Sequence, residues 1–282
     1  MSKAAEPGRP PAGWVRLTVR RVGGRTRLTQ LTCRPPLQVM RAHYLDRRLE
    51  EMAFVTVLSP SGGVLQGDCL SIEVDAGERT WLHLDTASAT RIYRMPRLGA
   101  RQRVAITVGE GAFVEVVPEP YLPYAGARFE QEGRFEVAES GTLLLAEVVA
   151  PGRQARGEEL AYERFSSLAE VWRPGGQLLF RDWCRLDPRD RLRACGRLGG
   201  FGAVGSLYVV SQDCASDLLA GALSGLSPDL AWAGASELPN RAGAWMRVLA
   251  RDSATAVAAV ESAWRAARTA IVGAPPPPRR RY

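Results

Sequence analysis

The sequence predicts a mainly β fold with two α-helices near its C-terminus, and three observations carry that prediction. From Trp14 to about Val210, short runs of alternating or β-branched apolar residues recur between Gly, Pro and Asp turns, the pattern of strands. The connections between these runs are too short to hold crossover helices, which argues against a doubly wound α/β enzyme. After Ser211 the apolar spacing changes to a helical one.

The strand runs include Val15 to Val19, Phe54 to Val57, Leu70 to Val74, Val104 to Val108 and Leu143 to Leu145. A first helix is predicted over Gln212 to Leu226, where Leu218, Leu219, Leu223 and Leu226 fall on one face. A second is predicted from Ser253 to Ile271, with Val257, Val260, Trp264, Ala267 and Ile271 as its apolar stripe and Asp252-Ser253 as its N-cap. Between them, Trp232 to Leu249 returns to strand around a turn at Leu238, Pro239 and Asn240. No fixed-period repeat and no internal linker divides the chain. The expected organisation is a flexible segment over residues 1–13, one β-rich domain over 14–272, and a flexible Pro/Arg tail over 273–282.

The 282 residues are 46% hydrophobic and 24% charged, an ordinary globular composition. A net charge of +7 raises the question of an acidic partner. The basic residues are scattered pairs such as Arg20-Arg21 and Arg47-Arg48, and the dense run Arg279 to Arg281 lies behind four prolines. A nucleic-acid-binding β-barrel would interleave basic and stacking aromatic residues on one surface; that pattern is absent, although this reading remains the alternative. No apolar run reaches the roughly 20 residues of a membrane span, and Met1 to Gly13 lacks the order of a secretory signal. Cys33, Cys69, Cys184, Cys195 and Cys214 are odd in number and irregularly spaced. They read as free thiols in a reducing, cytoplasmic compartment.

Catalytic chemistry finds little material. His43 and His83 are the only histidines, and neither sits in a metal-ligand spacing. His83 alternates with Trp81 and Asp85, which places the three on one strand face. Gly200 to Gly205 fits G-x-G-x-x-G, but a strand-forming run follows where a dinucleotide site needs a helix N-terminus, so it reads as a flexible turn. A hydrolase built on Cys69 or His83 lacks a base–nucleophile pair. What remains is a set of carboxylates beside glycine-rich turns: Asp68, Glu119, Glu147 and Glu158.

The order of these segments resembles the UreD/UreH family of urease accessory proteins over roughly residues 23–268. Gly24 to Leu28 and Pro36 to Arg41 are similar to the family's opening strands. Ser59 to Leu70, with Gly62, Gly63, Gly67 and Asp68, resembles its P-P-G-G-L-x-G-G-D-x-L signature. Ala87 to Arg94, with Thr90, Arg91 and Tyr93, looks like its P-G-A-T-K-x-Y-R segment. Val114 to Pro118, Tyr124 to Ala127, Glu147, Gly152-Arg153 and Gly157-Glu158 complete the series. Ser61, Gln66, Arg91 and Pro120 depart from the family pattern.

The resemblance implies a layered, helix-like β scaffold that catalyses nothing itself. It implies partners: a helical UreF-like protein, through it a UreG-like GTPase, and the urease apoprotein, in a paired hetero-oligomer without nucleic acid or membrane. The implied role is nickel insertion into urease, with no tightly bound cofactor and Ni(II) only in transit. Weak carboxylate and water sites suit release better than paired thiolate or imidazole ligands. Asp68 and Glu158, supported by Glu147, are therefore candidates to line a wet passage, with His83 and Asp85 as a further stopping point. Shaping turns is the other reading of these acids. Trp245 and Trp264 are candidates for a partner surface, with core packing as the alternative.

Overall fold

A computed structural model describes residues 11–194, 196–211 and 213–278. Its framework is a coil wound through two facing sheets. Four passes make up the body: β4 (Ala53–Leu58) leads to β5 (Cys69–Ala76); β6 (Trp81–Thr86) leads through β7 (Thr90–Ile92) to β8 (Ala100–Val108); β9 (Phe113–Val116) leads through β10 (Tyr121–Pro123) to β11 (Arg128–Val137); and β12 (Thr142–Val149) leads to β13 (Arg164–Trp172). The first strand of each pass joins one sheet and the last joins the other, so neighbours within a sheet run parallel. Short connections here cross between sheets instead of making hairpins, which is how a parallel architecture arises without crossover helices.

β1 (Gly13–Val22), β2 (Arg25–Arg34) and β14 (Leu178–Leu186) complete the first sheet in the order β14-β13-β11-β8-β5-β1-β2. β3 (Gln38–Val39), β15 (Ala203–Val210), β16 (Ala231–Glu237) and β17 (Gly243–Ala250) complete the second, ordered β16-β17-β15-β12-β9-β6-β4-β3. α1 (Ser216–Leu223) and α2 (Ser253–Val272) pack on the outer face of the second sheet. α1 is shorter than the predicted span, and residue 212 lies outside the described residues. Asp252 caps α2 as expected, accepting the Thr255 N–H at 2.8 Å, and a 3-10 turn over Pro239–Arg241 separates β16 from β17.

Burial explains why some strands alternate and others do not. The first sheet has one wet face, so β13 reads inward Phe165, Ser167, Ala169 and Val171 against half-exposed neighbours. Its outer face carries cross-strand pairs such as Arg16–Glu73, Arg103–Glu132 and Arg181–Glu170. Each contributes at most about 1 kcal/mol, and together they give that face mixed sign. The middle of the second sheet is covered on both faces, hence β9 and β15 are buried at every residue.

The predicted flexible turn around Gly205 is corrected. Gly205 lies inside β15, where an added Cβ would come within 2.8 Å of both Val248 and Val260. Its glycine lets α2 sit directly on the strand.

One buried ion network ties α2 to the second sheet. Arg268, fully buried, donates to Glu115 on β9, to Asp46 at 2.5 Å and to the Ala274 carbonyl at 3.3 Å. Trp264 Nε1 donates to the second Glu115 oxygen at 2.8 Å. His83 Nδ1 bonds Glu115 at 2.8 Å and its Nε2 stands 3.6 Å from Asp85. The shared face of Trp81, His83 and Asp85 is therefore the helix-facing side of β6. Burial opposes charge on His83, but hydrogen bonds and charge from Asp85 and Glu115 outweigh it and hold its pKa above the ordinary value. Trp264, offered above to a partner, is instead core at 2% exposure.

Removing one member of a buried pair strands its partner. Arg268→Met is expected to destabilise the chain by about 3–5 kcal/mol in urea unfolding, with loss of helical signal first. Because the His83 pKa is raised on folding, its contribution is present below pH 6.5 and is lost as pH rises through the folded value. His83→Gln should cost more stability at pH 6 than at pH 8.5, read from thermal melts.

Candidate functional site

Parallel register stacks like positions of successive passes, and one level of the sandwich is polar across several strands. On the first sheet Gln102, Gln131, Ser167 and Cys184 are successive register partners across β8, β11, β13 and β14. On the second sheet the partners Glu147, Ser206 and Arg247 cross β12, β15 and β17. The level on one side carries Ala100, Phe129, Phe165 and Leu186, and that on the other carries Val104, Ala169 and Leu145 together with Asp182 and Tyr208, so the two rows form a polar lane in a largely apolar interior.

The hydrogen bonds of the lane converge on Glu147. Gln102 Nε2 donates to the Tyr121 hydroxyl at 3.2 Å, which donates to Gln131 Oε1. Gln131 Nε2 and the Ser167 hydroxyl both donate to Glu147 Oε2, at 3.1 and 2.7 Å. Beyond Glu147, Arg247 bonds Ser206 at 3.2 Å, the Tyr208 hydroxyl at 3.2 Å and Asp182, which also accepts from Tyr208. Burial pushes the Glu147 carboxyl up to about 7; Asp182 adds to the rise, while Ser167 and Arg247 partly offset it. The Cys184 thiol is pushed up to about 11 chiefly by burial, so it is a poor nucleophile at neutral pH.

The lane encloses a cavity of about 60 Å³ in which Gln102, Tyr121, Gln131, Glu147, Asp182 and Tyr208 share the lining with apolar residues such as Ile72, Val104, Phe135 and Leu145, large enough to hold water and with polar partners for it. A second cavity adjoins it at Gln102, Tyr121 and Thr86 and reaches the turn at Gly62 and Gly63. At the other end Cys184 also lines an open groove between β14 and β16, alongside Arg247. The polar level thus runs from a corner of the coil to the far edge of the sandwich.

The corner is where the resemblance's scattered segments meet. Val64 pairs with Ile92, β7 pairs with β10, and β10 pairs with β12. The segments around 59–68, 87–94, 121–127 and 151–158 are thus corners of successive passes stacked on one another. Gly63 has φ +153°, and a Cβ there would stand 2.4 Å from the Arg91 carbonyl. Gly152 has φ +128°, with the Glu158 carbonyl 2.6 Å from its would-be Cβ. These two glycines are set by contact between passes.

Two of the four acids proposed for transit, Asp68 and Glu158, are placed by this corner. Asp68 accepts the Leu65 N–H at 2.8 Å and closes its own turn. Glu158 is bound by Arg153, accepts the Ala125 N–H at 3.2 Å, and is held below the usual carboxylate range by the Arg153 hydrogen bond. Arg153 in turn lies 4.0 Å over the Tyr124 ring, which packs against Tyr93. Thr90 donates its N–H to the Pro120 carbonyl, while Gly67 and Gly157 supply positive φ. Of the five proposed transit residues only Glu147 sits in the lane's hydrogen-bonded chain, while Asp85 lines the same cavity and lies 3.6 Å from His83. His83 belongs to the network under α2. Trp245 stacks on Tyr208 at 6.3 Å beside the lane. Among the described residues no three of His, Cys, Asp and Glu gather as ligands for one ion.

The family model for UreD urease accessory protein matches residues 12–282. The chain belongs to the UreD family. A Streptomyces griseus protein named urease accessory protein UreD 2 is 36% identical over 90% of this chain and 88% of its own length. A Brucella suis relative of that name is 34% identical over 95% of this chain and 93% of its own. Urease accessory protein UreD of Cenarchaeum symbiosum is 33% identical over 92% of each. No helix of the described residues is long and apolar enough to cross a membrane.

Gln102, Gln131, Ser167, Asp182 and Arg247 escaped sequence reasoning. Only Arg247 interrupts a continuous apolar run; Gln102, Gln131, Ser167 and Asp182 have polar chain neighbours and stand out only when alternate residues are read together, as polar positions in an otherwise mostly apolar inward-facing series.

Since the folded Glu147 pKa lies above its unfolded value near 4.5, its contribution to stability is present below pH 4.5 and lost as pH rises through 7. Glu147→Gln should leave stability at pH 5 nearly unchanged and raise it by about 1–3 kcal/mol at pH 8, discounting for cavity water. Urea titrations at the two pH values check this.

Proposed function

We propose that this chain is a non-catalytic scaffold of urease maturation in the cytoplasm. In this reading it binds a UreF-like partner, through it a UreG-like GTPase, and the urease apoprotein, and it gives Ni(II) a route through the polar lane. The observation that supports the route is the polar level, with a carboxyl whose pKa lies near 7 at its centre, inside a largely apolar sandwich.

A carboxyl of that kind suits a cation in transit. Ionised, Glu147 offers oxygen to Ni(II); protonated, it withdraws the charge, and hydroxyl, amide and water oxygens on either side exchange weakly with the ion. A binding set of several thiolates or imidazoles would hold the ion instead. Arg247 stands at the far end of the lane, and its pairing with Asp182 offsets the repulsion that a bare guanidinium would present to a cation. Asp68 and Glu158 act in this reading through the corner: they hold the turns that bound the entrance.

The test is activation of urease apoprotein by the reconstituted accessory set at limiting nickel. Glu147→Gln and Asp182→Asn should each retain co-purification with the UreF-like and urease partners and lower activated urease about tenfold or more. With wild-type chain the yield should rise between pH 6 and pH 8, and Glu147→Gln should flatten that rise. Full activation by both variants would remove the lane from the route; loss of complex formation would make it structural.

A further inference from the structure

The four sheet edges of the molecule are not protected alike. An exposed edge presents unpaired backbone N–H and C=O groups and is usually blunted by charge, proline, a bulge or shortness. β3 is two residues long. β2 carries Arg25, Arg27 and Arg34, and its register with β1 shifts at Thr18/Val19. β14 carries exposed Arg181 and Arg185. β16, Ala231 to Glu237, is the least blunted: its one charge is Glu237 at the last residue, it is regular, holds no Lys, Arg or Pro, and among the described residues pairs only with β17. Five of its seven residues are exposed.

Beside this edge lies the open groove that ends the polar lane. Trp183 and Trp232 line it at 63% and 64% exposure, and Leu192 and Leu198 add apolar floor. Its charged lining is Arg185, Arg197 and Arg247 against one carboxylate, Asp190. The groove therefore combines an unused strand edge, two wet tryptophans and positive charge. We propose that the β16 edge receives an extended segment of a partner protein as an added strand, the segment bearing acidic residues opposite the arginines and a large apolar side chain against Trp183 and Trp232. This rests on the reading that the chain works within an assembly and is independent of the metal route.

The probe is a fluorescein-labelled nine-residue peptide of alternating Glu and Val with a central Phe, titrated into the full chain and read by anisotropy. Saturable binding to wild type is expected, weakened about tenfold or more by Trp232→Ala and by Gly234→Glu. A Cβ at Gly234 meets nothing within 4 Å, so the latter variant should melt like wild type. Leu31→Glu on β2 should bind as wild type, and peptides with Lys for Glu, or with Pro at alternate positions, should not bind. Absence of binding to wild type, or equal binding by Gly234→Glu, overturns the proposal. So does a dimer of the chain that Gly234→Glu dissociates, since the occupant is then a second copy. Urease activation by wild-type chain is scored separately: its failure beside the expected peptide pattern removes the accessory reading and leaves the edge site standing.

Discussion

Parallel register between successive passes is the constraint on which the rest of this molecule depends. When each pass lies directly on the last, inward side chains of equal register become neighbours whatever their separation in the chain. An apolar residue then meets apolar residues, and a single polar residue at one level would be stranded unless its register partners are polar too. Gln102, Gln131 and Ser167 satisfy one another and Glu147 for that reason. The lane is the form that a satisfiable polar group takes in such a core.

The same register sorts the molecule's two faces into different tasks. The first sheet turns its ion-paired outer face to water, so the +7 net charge does not collect there into one basic stripe. The middle of the second sheet is buried twice, once against its partner sheet and once under the helices. Burying charge on that second side is costly, and Arg268, Glu115, Asp46 and His83 offset the cost by bonding one another. A core of this type gives α2 a fixed seat, since the guanidinium fits its acceptors in one position only. Glu115 and Glu147 lie on opposite faces of one sheet: Glu115 faces α2 and meets Arg268, whereas Glu147 faces the lane and accepts from Gln131 and Ser167.

The corner and the lane also divide the work between local and distant contacts. At the corner, Asp68 bonds within its own turn through the Leu65 amide, and Glu158 bonds nearby Arg153 and the Ala125 amide of the preceding pass. Their value is to fix where the passes turn, and hence where the lane opens. Glu147 is held by residues of other strands, so its titration reports on the fold as a whole. The groove beyond Arg247 is where both sheets stop, and the least protected edge lies at the same place.

The sequence by itself determined that the chain is strand-rich to Val210, that two helices follow, and that Asp252 starts the second, because period, turn residues and caps are local properties. It also marked Glu147 and the glycines at 62, 63 and 152, through a pattern of segments in order. Only the tertiary structure decided that short connections cross between sheets, that Gly205 is a seat for α2 and not a turn, and that Arg268 meets Asp46, 222 residues away. The physical reason is register: a strand's own residues specify which way each side chain alternates, but the neighbour it meets is set by how the passes stack.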